Sequence, residues 1–207
     1  RIIGDLNNGK SIALVSDAGM PSICDPGEDL VNHAKLNKLE VICIPGPCAG
    51  LTALITSGFQ SSKFIFEGFL PKKNKERSKI LLEISKNEKT TILYESPHRL
   101  IKLLKELKEA CGGLREIQVS RELTKKFEEH TRDNINEVLT FFDGKEIKGE
   151  ITIIVKGAEK KKDLEFKKIS LKEELHLLVN AGLSLSAAAK YLANKSNLSK
   201  SEIYSLY

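Results

Sequence analysis

The sequence predicts an α/β protein with two α/β domains followed by a small helical module. Near-continuous apolar runs alternate with segments of helical period over residues 11–58, which is typical of a parallel sheet covered on both faces. The alternation continues, with changes, over residues 63–157. Residues 169–207 carry helix-capping patterns and an alanine-rich stretch, which predict three short helices resembling a helix-turn-helix module.

The first domain is predicted over residues 1–60. Its two strands are expected in SIALVSD and EVICIPGP, where uninterrupted apolar residues are followed by turn residues. Its helices are expected in GEDLVNHAKLNK, where apolar residues recur near helical spacing, and in CAGLTALITSG, which ends at Gly58. We place the boundary to the second domain near residues 60–63.

The second domain is predicted over residues 63–157 as a mixed sheet with helices between its strands. We expect a basic helix around Lys75 to Lys86, an amphipathic helix with Pro97 near its first turn, and a short helix capped by Asn134. The strands are expected in KFIFEGF, TTILYES, EIQVSREL and GEITIIVKG.

The C-terminal part is predicted as a charged linker over residues 158–168 and a helical module over residues 169–207. The segment EKKKDLEFKK carries many charges and no periodicity, which indicates a linker. Ser170–Glu173 and Ser199–Glu202 both fit the S-x-x-E capping box, and an alanine-rich helix is expected between them.

The composition is that of a globular protein, since 41% of the 207 residues are hydrophobic and 29% are charged. No apolar stretch reaches the roughly 18 residues that span a bilayer, so we expect no membrane partner. The four cysteines form no CxxC pair and have no histidine at zinc-like spacing. We therefore expect buried, reduced thiols in a cytoplasmic protein, and no metal.

Three of the predicted strands end in small or turn residues, at Ser16-Asp17-Ala18-Gly19, at Pro45 to Ala49 and at Tyr94 to Pro97. Ligands of open parallel sheets bind beyond the carboxyl ends of the strands, and small residues let a ligand approach the backbone closely. One such turn more often only ends a strand. Three such turns at the ends of strands of one sheet predict a ligand site.

Six segments resemble, in order, the tetrapyrrole methylase superfamily: VSDAGMPSICDPG, IPGPCAGLTAL, FEGFLPKK, YESPHRL, SRELTKKFEE and GEITIIVKG. They are similar, more narrowly, to its members that methylate a ribose 2′-hydroxyl of a cytidine in 16S ribosomal RNA. The resemblance implies an S-adenosylmethionine-dependent methyltransferase with the cofactor in a cleft between two α/β domains. It also implies a first strand and glycine-proline turn that this sequence lacks. We therefore expect a partial first domain that lacks one wall of the cofactor cleft, and a chain that by itself lacks activity.

The resemblance also implies which residues bind the cofactor and which macromolecules the protein meets. The partner implied is 16S rRNA or the small ribosomal subunit, and homodimers are common in the superfamily. Carried over motif by motif, the cofactor contacts fall on Asp17, Ala18, Gly19, Cys48, Ala49, Glu95, Leu123, Thr124, Gly149 and Glu150.

Methyl transfer from a sulfonium needs little beyond donor and acceptor held in attack geometry, but a ribose hydroxyl is a weak nucleophile that a general base would assist. The candidate bases are Glu95, Glu122 and Lys125. Each has an alternative role. Glu95 would equally pair with Arg99 one helical turn on, Glu122 with Arg121, and Lys125 would equally bind phosphate.

Two segments, residues 63–79 and 156–207, each carry a net charge of +4, which suits a polyanion such as RNA as well as a merely solvated surface. In the first, five cations occupy eight positions: Lys72, Lys73, Lys75, Arg77 and Lys79. Phe66 and Phe69 precede them and belong either to the core or to a base-stacking surface. Two other functions stay open, namely methylation of a small tetrapyrrole or other non-RNA acceptor, and RNA binding without catalysis.

Overall fold

The structure, a computed structural model, describes residues 1–159, 161–196 and 198–207. Its centre is one mixed sheet of five strands in the order β1-β2-β5-β3-β4. The strands are β1 (Phe64–Phe69), β2 (Thr90–Glu95), β3 (Glu116–Arg121), β4 (Glu129–Asn134) and β5 (Ile151–Val155). β1 and β2 are parallel, while β5 is antiparallel to both β2 and β3. β1, β2 and β3 therefore point the same way, and their carboxyl ends share one edge of the sheet.

The helices of the sheet region and of the chain before it are α1 (Ile2–Asn7), α2 (Glu28–Leu36), α3 (Ala49–Ser57), α4 (Asn74–Lys86), α5 (Leu100–Cys111) and α6 (Ile135–Phe142), with a 3₁₀ turn at Pro97–Arg99. α4, α5 and α6 cover one face of the sheet, where Leu93 and Ile153 are buried. α3 covers the other face, where Ile92 and Ile154 contact Ala53. Because β2 and β5 are covered on both faces, their sequences are apolar almost throughout.

The helix and strand predictions for residues 63–157 are confirmed, including the cap at Asn134, whose side chain accepts a hydrogen bond from the Glu137 amide. α3 ends, as predicted, at Gly58 with φ of 65°. β4 was not predicted, because EHTRDN has no apolar alternation. It pairs only with β3 in the described sheet, and an edge strand can be polar.

The two predicted strands of the first domain are wrong for this structure. Residues 11–17 and 40–47 carry no strand assignment, although α2 and α3 lie where helices were expected. Val15 is 81% exposed and Ile44 is 80% exposed. Apolar strands of a parallel sheet depend on neighbouring strands and on cover over both faces, and two short segments without these are marginal.

The C-terminal helices are α7 (Lys161–Asn180), α8 (Leu185–Lys195) and α9 (Lys200–Tyr204). They enclose a small core of Leu175, Ala188, Ala189, Leu192 and Ile203, so the helical module is confirmed. α7 covers residues 161–168 of the predicted linker, whose residue 160 lies outside the described residues, and Ser170 lies within α7 rather than at the start of a helix, so the Ser170 capping box is wrong. Lysine, glutamate and leucine are good helix formers, so charge alone does not end a helix. The Ser199–Glu202 capping box is present.

No helix in the described part of the chain is long and apolar enough to cross a membrane.

Candidate functional site

A cleft of about 530 Å³ lies at the sheet edge where β1, β2 and β3 end and β5 begins. The loop of residues 17–25, the start of α3 and the strand ends line it. The structure brings all ten sequence-predicted cofactor residues to this cleft: Asp17, Ala18, Gly19, Cys48, Ala49, Glu95, Leu123, Thr124, Gly149 and Glu150. That they contact the cofactor stays a prediction.

The turn at Asp17–Gly19 is closed by the Ser16 hydroxyl, which donates to the Gly19 carbonyl over 2.9 Å. Gly19 has φ of +73°, a conformation that glycine adopts without strain. A Cβ at this position would lie 3.3 Å from the Pro47 carbonyl oxygen. The glycine therefore allows two of the cleft-lining loops to approach each other.

Tyr94 joins the start of α3 to the end of β2. Its hydroxyl accepts a hydrogen bond from the Gly50 amide over 3.0 Å, and burial raises the pKa of the phenol. Phe66 and Phe69 pack edge-on against its ring, with centroid distances of 5.2 and 5.7 Å. Phe69 lines the cleft and is 51% exposed, so it is not a core residue.

Glu95 is the centre of a buried charge cluster. The side chain is 2% exposed, and its Oε1 accepts from the Ser96 amide and from Arg99 Nε, each over 2.8 Å. Its Oε2 lies 3.6 Å from Arg77 Nη2, which is 2.7 Å from Glu106 Oε2. The alternative pairing with Arg99 is thus present. Both carboxylate oxygens face guanidinium groups inside the protein, which supports a structural role for Glu95, and its role as a base stays a prediction.

Arg77 corrects the predicted RNA surface. It is only 5% exposed and faces carboxylates in the protein interior, so it is not available to phosphate. Lys72, Lys73 and Lys75 are exposed at the start of α4. Lys79 is exposed as well, with its ammonium 3.9 Å from Glu83.

Glu122 and Lys125 hold the turn between β3 and β4. Glu122 Oε1 accepts from the Glu150 amide and from Lys125 Nζ, both over 2.9 Å. These hydrogen bonds, the amide's first, lower the pKa of Glu122. Hydrogen bonds to the Glu122 and Glu150 carboxylates raise the pKa of Lys125, which favours its charged ammonium form. The lowered pKa makes Glu122 a weaker base than a free glutamate, and the role of either group as a general base stays a prediction. Arg121 pairs with Glu129 over 3.0 Å instead of with Glu122.

The same turn holds two strained residues, Glu122 with φ of +52° and Thr124 with φ of +65°. A β-branched residue in this region is unusual, and such conformations cluster at functional sites. The Thr124 amide is fixed by the Glu128 carboxylate over 2.7 Å. A side chain at Gly149, which has φ of +88°, would overlap the Glu122 carboxyl group. The cleft edge is therefore closely packed around Glu122.

Several cleft residues were not predicted from the sequence, among them Met20, Cys24 and Thr52, and Phe69 was predicted only as a core or base-stacking residue. In the sequence, only their nearness to the predicted cofactor turns indicates a place in the cleft. Cys24 and Cys43 are exposed, which corrects the expectation of buried thiols. Within the residues that the structure describes, no group of His, Cys, Asp and Glu side chains is placed to hold a metal ion.

The family model of the tetrapyrrole (corrin/porphyrin) methylases matches residues 1–139. The chain belongs to the tetrapyrrole methylase family. Two relatives, each called ribosomal RNA small subunit methyltransferase I, are 40% identical. The one from Synechocystis sp. matches over 99% of this chain and 74% of its own length, and the one from Bacillus subtilis over 100% and 72%.

Two solved methyltransferases share the fold. The methyltransferase CobJ matches with a TM-score of 0.55 at 18% identity, over 75% of this chain and 68% of its own. The cobalt precorrin-4 methyltransferase CbiF also matches with a TM-score of 0.55, at 16% identity, over 75% and 69%. The predicted α/β fold of the tetrapyrrole methylases is thereby confirmed. As a member of this family, the chain is a methyltransferase that uses S-adenosylmethionine.

Proposed function

We propose that this methyltransferase acts on a ribose 2′-hydroxyl of a cytidine in 16S ribosomal RNA, with S-adenosylmethionine bound in the cleft. The observation that carries the choice of acceptor is the 40% identity, over nearly the whole chain, to relatives named for the RNA of the small ribosomal subunit. The exposed Lys72, Lys73 and Lys75 follow β1, whose end lies at the cleft, and support a polyanionic acceptor.

The cleft fits the cofactor in size and in lining. Its volume of about 530 Å³ falls within the range of small-molecule sites, roughly 300–1,000 Å³. The small residues Ala18, Gly19 and Ala49 leave room for a ring beside exposed backbone amides and carbonyls. The turns at Leu123–Thr124, after β3, and at Gly149–Glu150, before β5, would contact the cofactor as well. S-adenosylmethionine supplies a methyl group on a positively charged sulfur.

This chain's contribution to the chemistry is positioning rather than proton abstraction. Glu95 holds Arg77 and Arg99, Glu122 has a lowered pKa, and Lys125 is a protonated ion-pair partner. The turn that contains the strained Glu122 and Thr124 is held by hydrogen bonds of Glu128 and Glu122 and gives the cleft a fixed wall. Well-oriented reactants alone account for roughly 7–11 kcal/mol of a barrier.

The alternative acceptor, a small tetrapyrrole, is favoured by the solved structures only through their fold, which many acceptors share. Exposed lysines beside the cleft favour RNA over it. The third possibility, RNA binding without catalysis, predicts that the chain binds RNA and transfers no methyl group.

The deciding experiment incubates the chain and S-adenosylmethionine carrying a labelled methyl group with small ribosomal subunits, with free 16S rRNA and with uroporphyrinogen. The ribosomal substrates should come from cells that lack this methylation. We expect label in RNA and, after digestion to nucleosides, 2′-O-methylcytidine by mass spectrometry. Label on a base, on another nucleoside or on the tetrapyrrole alone would contradict the proposal. Calorimetry with S-adenosylhomocysteine distinguishes a chain that binds no cofactor from one that lacks the right acceptor.

A further inference from the structure

The β3–β4 loop, residues 122–128, presents an aromatic side chain at the edge of the sheet where the cleft lies. Leu123, Thr124 and Lys125 of this loop line the cleft, and Phe127 follows two residues later. Phe127 is 65% exposed, the most exposed phenylalanine that the structure describes. Such a ring contributes little to the folded core, because most of its apolar surface stays in water.

We propose that Phe127 is a base-stacking contact for single-stranded RNA at the mouth of the cleft. The inference rests on the proposed function and names the residue that would hold the nucleotide beside the reacting ribose. Aromatic side chains hold unpaired bases by stacking, which every base permits because each has a π face.

The loop that carries Phe127 is held in place before any ligand binds. The Glu128 carboxylate accepts from the Thr124 amide over 2.7 Å and contacts His130 Nε2 over 2.8 Å, while the Glu128 amide donates to the Lys125 carbonyl over 3.2 Å. Phe127 lies between these fixed residues. A ring presented on an ordered loop loses less conformational entropy on binding than one on a mobile loop.

The charges around Phe127 favour a nucleic acid as the occupant. The Lys125 ammonium is engaged by Glu122 and Glu150, at 2.9 and 3.2 Å. The Lys126 ammonium instead lies over the Phe127 ring, 5.5 Å from its centroid, so that a base would stack on the opposite face or replace this contact. A base stacked on this ring would carry its phosphate near Lys126, which combines stacking and charge neutralisation at one nucleotide.

A similar combination stands on the other side of the cleft. Phe69, at the end of β1, is half exposed, and Lys72, Lys73 and Lys75 follow it. In the strand order β1-β2-β5-β3, three inter-strand spacings separate the two sides, or about 14 Å. Extended RNA of a few nucleotides could contact both sides and lay one ribose over the cleft between them.

The substitution Phe127→Trp tests stacking directly, because the chain contains no tryptophan and the new side chain would be the only one. We expect a short single-stranded oligoribonucleotide to quench its fluorescence. Inorganic polyphosphate, which has charge and no bases, should not. Equal quenching by polyphosphate, by vesicles of anionic lipid or by an acidic peptide would overturn the proposal. The fluorescence change would then arise from charge or from apolar contact and not from stacking on a base.

Binding titrations distinguish the contribution of the aromatic face of Phe127 from the contributions of its apolar size and of the neighbouring Lys126 charge. Phe127→Leu keeps an apolar side chain without a π face and should weaken RNA binding roughly 5- to 150-fold, whereas Phe127→Tyr should retain affinity. Lys126→Gln should lower the log–log salt slope by about 0.7, and Phe127→Leu should leave that slope unchanged. The affinity of each variant for S-adenosylhomocysteine controls for folding.

The two failures are distinguishable. If the unaltered chain binds RNA and Phe127→Leu binds it equally well, the stacking contact is wrong and the proposed function stands. If the unaltered chain binds no RNA while binding S-adenosylhomocysteine, the RNA acceptor itself is wrong, and the stacking contact falls with it.

Discussion

Replacing Arg77 by leucine distinguishes a structural arginine from an RNA contact. Its guanidinium is buried, 2.7 Å from Glu106 and 3.6 Å from Glu95, and the other partners of Glu95 are Arg99 and the Ser96 amide. Removing one member of a buried ion pair costs about 3–5 kcal/mol, because the remaining charge is left uncompensated. Glu95 keeps Arg99, so we expect the lower end, about 3 kcal/mol.

A loss of about 3 kcal/mol is large against the roughly 5–15 kcal/mol that stabilises a typical domain. Urea unfolding followed by circular dichroism measures it as a lower midpoint with an unchanged slope. The matched control is Lys79→Leu, two residues along the same helix, where an exposed cation lies 3.9 Å from Glu83. Exposed pairs contribute about 0–1 kcal/mol, so this variant should unfold almost as the unaltered chain does.

The salt dependence of RNA binding supplies the second measurement. Arg77→Leu should leave the slope unchanged in the folded fraction, because a buried guanidinium neutralises no phosphate. The reasoning would be refuted if Arg77→Leu unfolded at the same urea concentration as the unaltered chain while the salt slope decreased by about one contact.

Three further predictions address the lysines, the cleft and pH. Reversing Lys72, Lys73 and Lys75 to glutamate should weaken RNA binding and flatten the salt slope by at least roughly 2, at about 0.7 per contact, with cofactor affinity unchanged in calorimetry. Gly149→Ala should reduce cofactor affinity, since a Cβ would overlap the Glu122 carboxyl group and φ is +88°, whereas Gly144→Ala, with φ of +68° and open space around it, controls for backbone strain. Hydrogen bonds lower the pKa of Glu122 in the folded protein. Its contribution to stability is therefore present above the ordinary carboxyl pKa of about 4.3 and is lost as the pH falls through the lowered pKa. Glu122→Gln should flatten that acidic part of the curve of stability against pH, measured by urea unfolding.

The sequence predicted the sheet best where burial on both faces leaves a compositional signature. The strands TTILYE and ITIIV have it, and both are central. β4 has none, because an edge strand with polar side chains resembles a loop in sequence. Residues 11–17 and 40–47 show the reverse error, since their apolar runs satisfy the pattern of a strand without pairing into the described sheet.

The candidate cleft was predictable as a set of turns, because small residues after apolar strands mark it. The roles of its charged residues were not, since pairing depends on contacts between distant parts of the chain. Arg77 is an exception that the sequence did signal. Arg77, Leu81 and Ile84 are the buried residues of α4, and their spacing of four and three is that of one helix face. The density of positive charge around Arg77 concealed this periodicity.

The buried cluster also connects the two functional regions. Arg77 belongs to α4, whose start lies next to the exposed lysines in sequence, and Glu95 ends the strand whose following turn lines the cleft. Their contact fixes the start of α4 relative to the cleft, and Arg99 joins the 3₁₀ turn to the same carboxylate over 2.7 Å. Replacing the cluster with apolar side chains of similar volume can leave a protein equally stable, so stability alone gives little reason for it. Glu95 binds cations from two elements, and this contact fixes the start of α4, beside which the exposed lysines lie, relative to the strand end at the cleft. The proposed RNA acceptor would need such a fixed arrangement to be held in register with the cofactor.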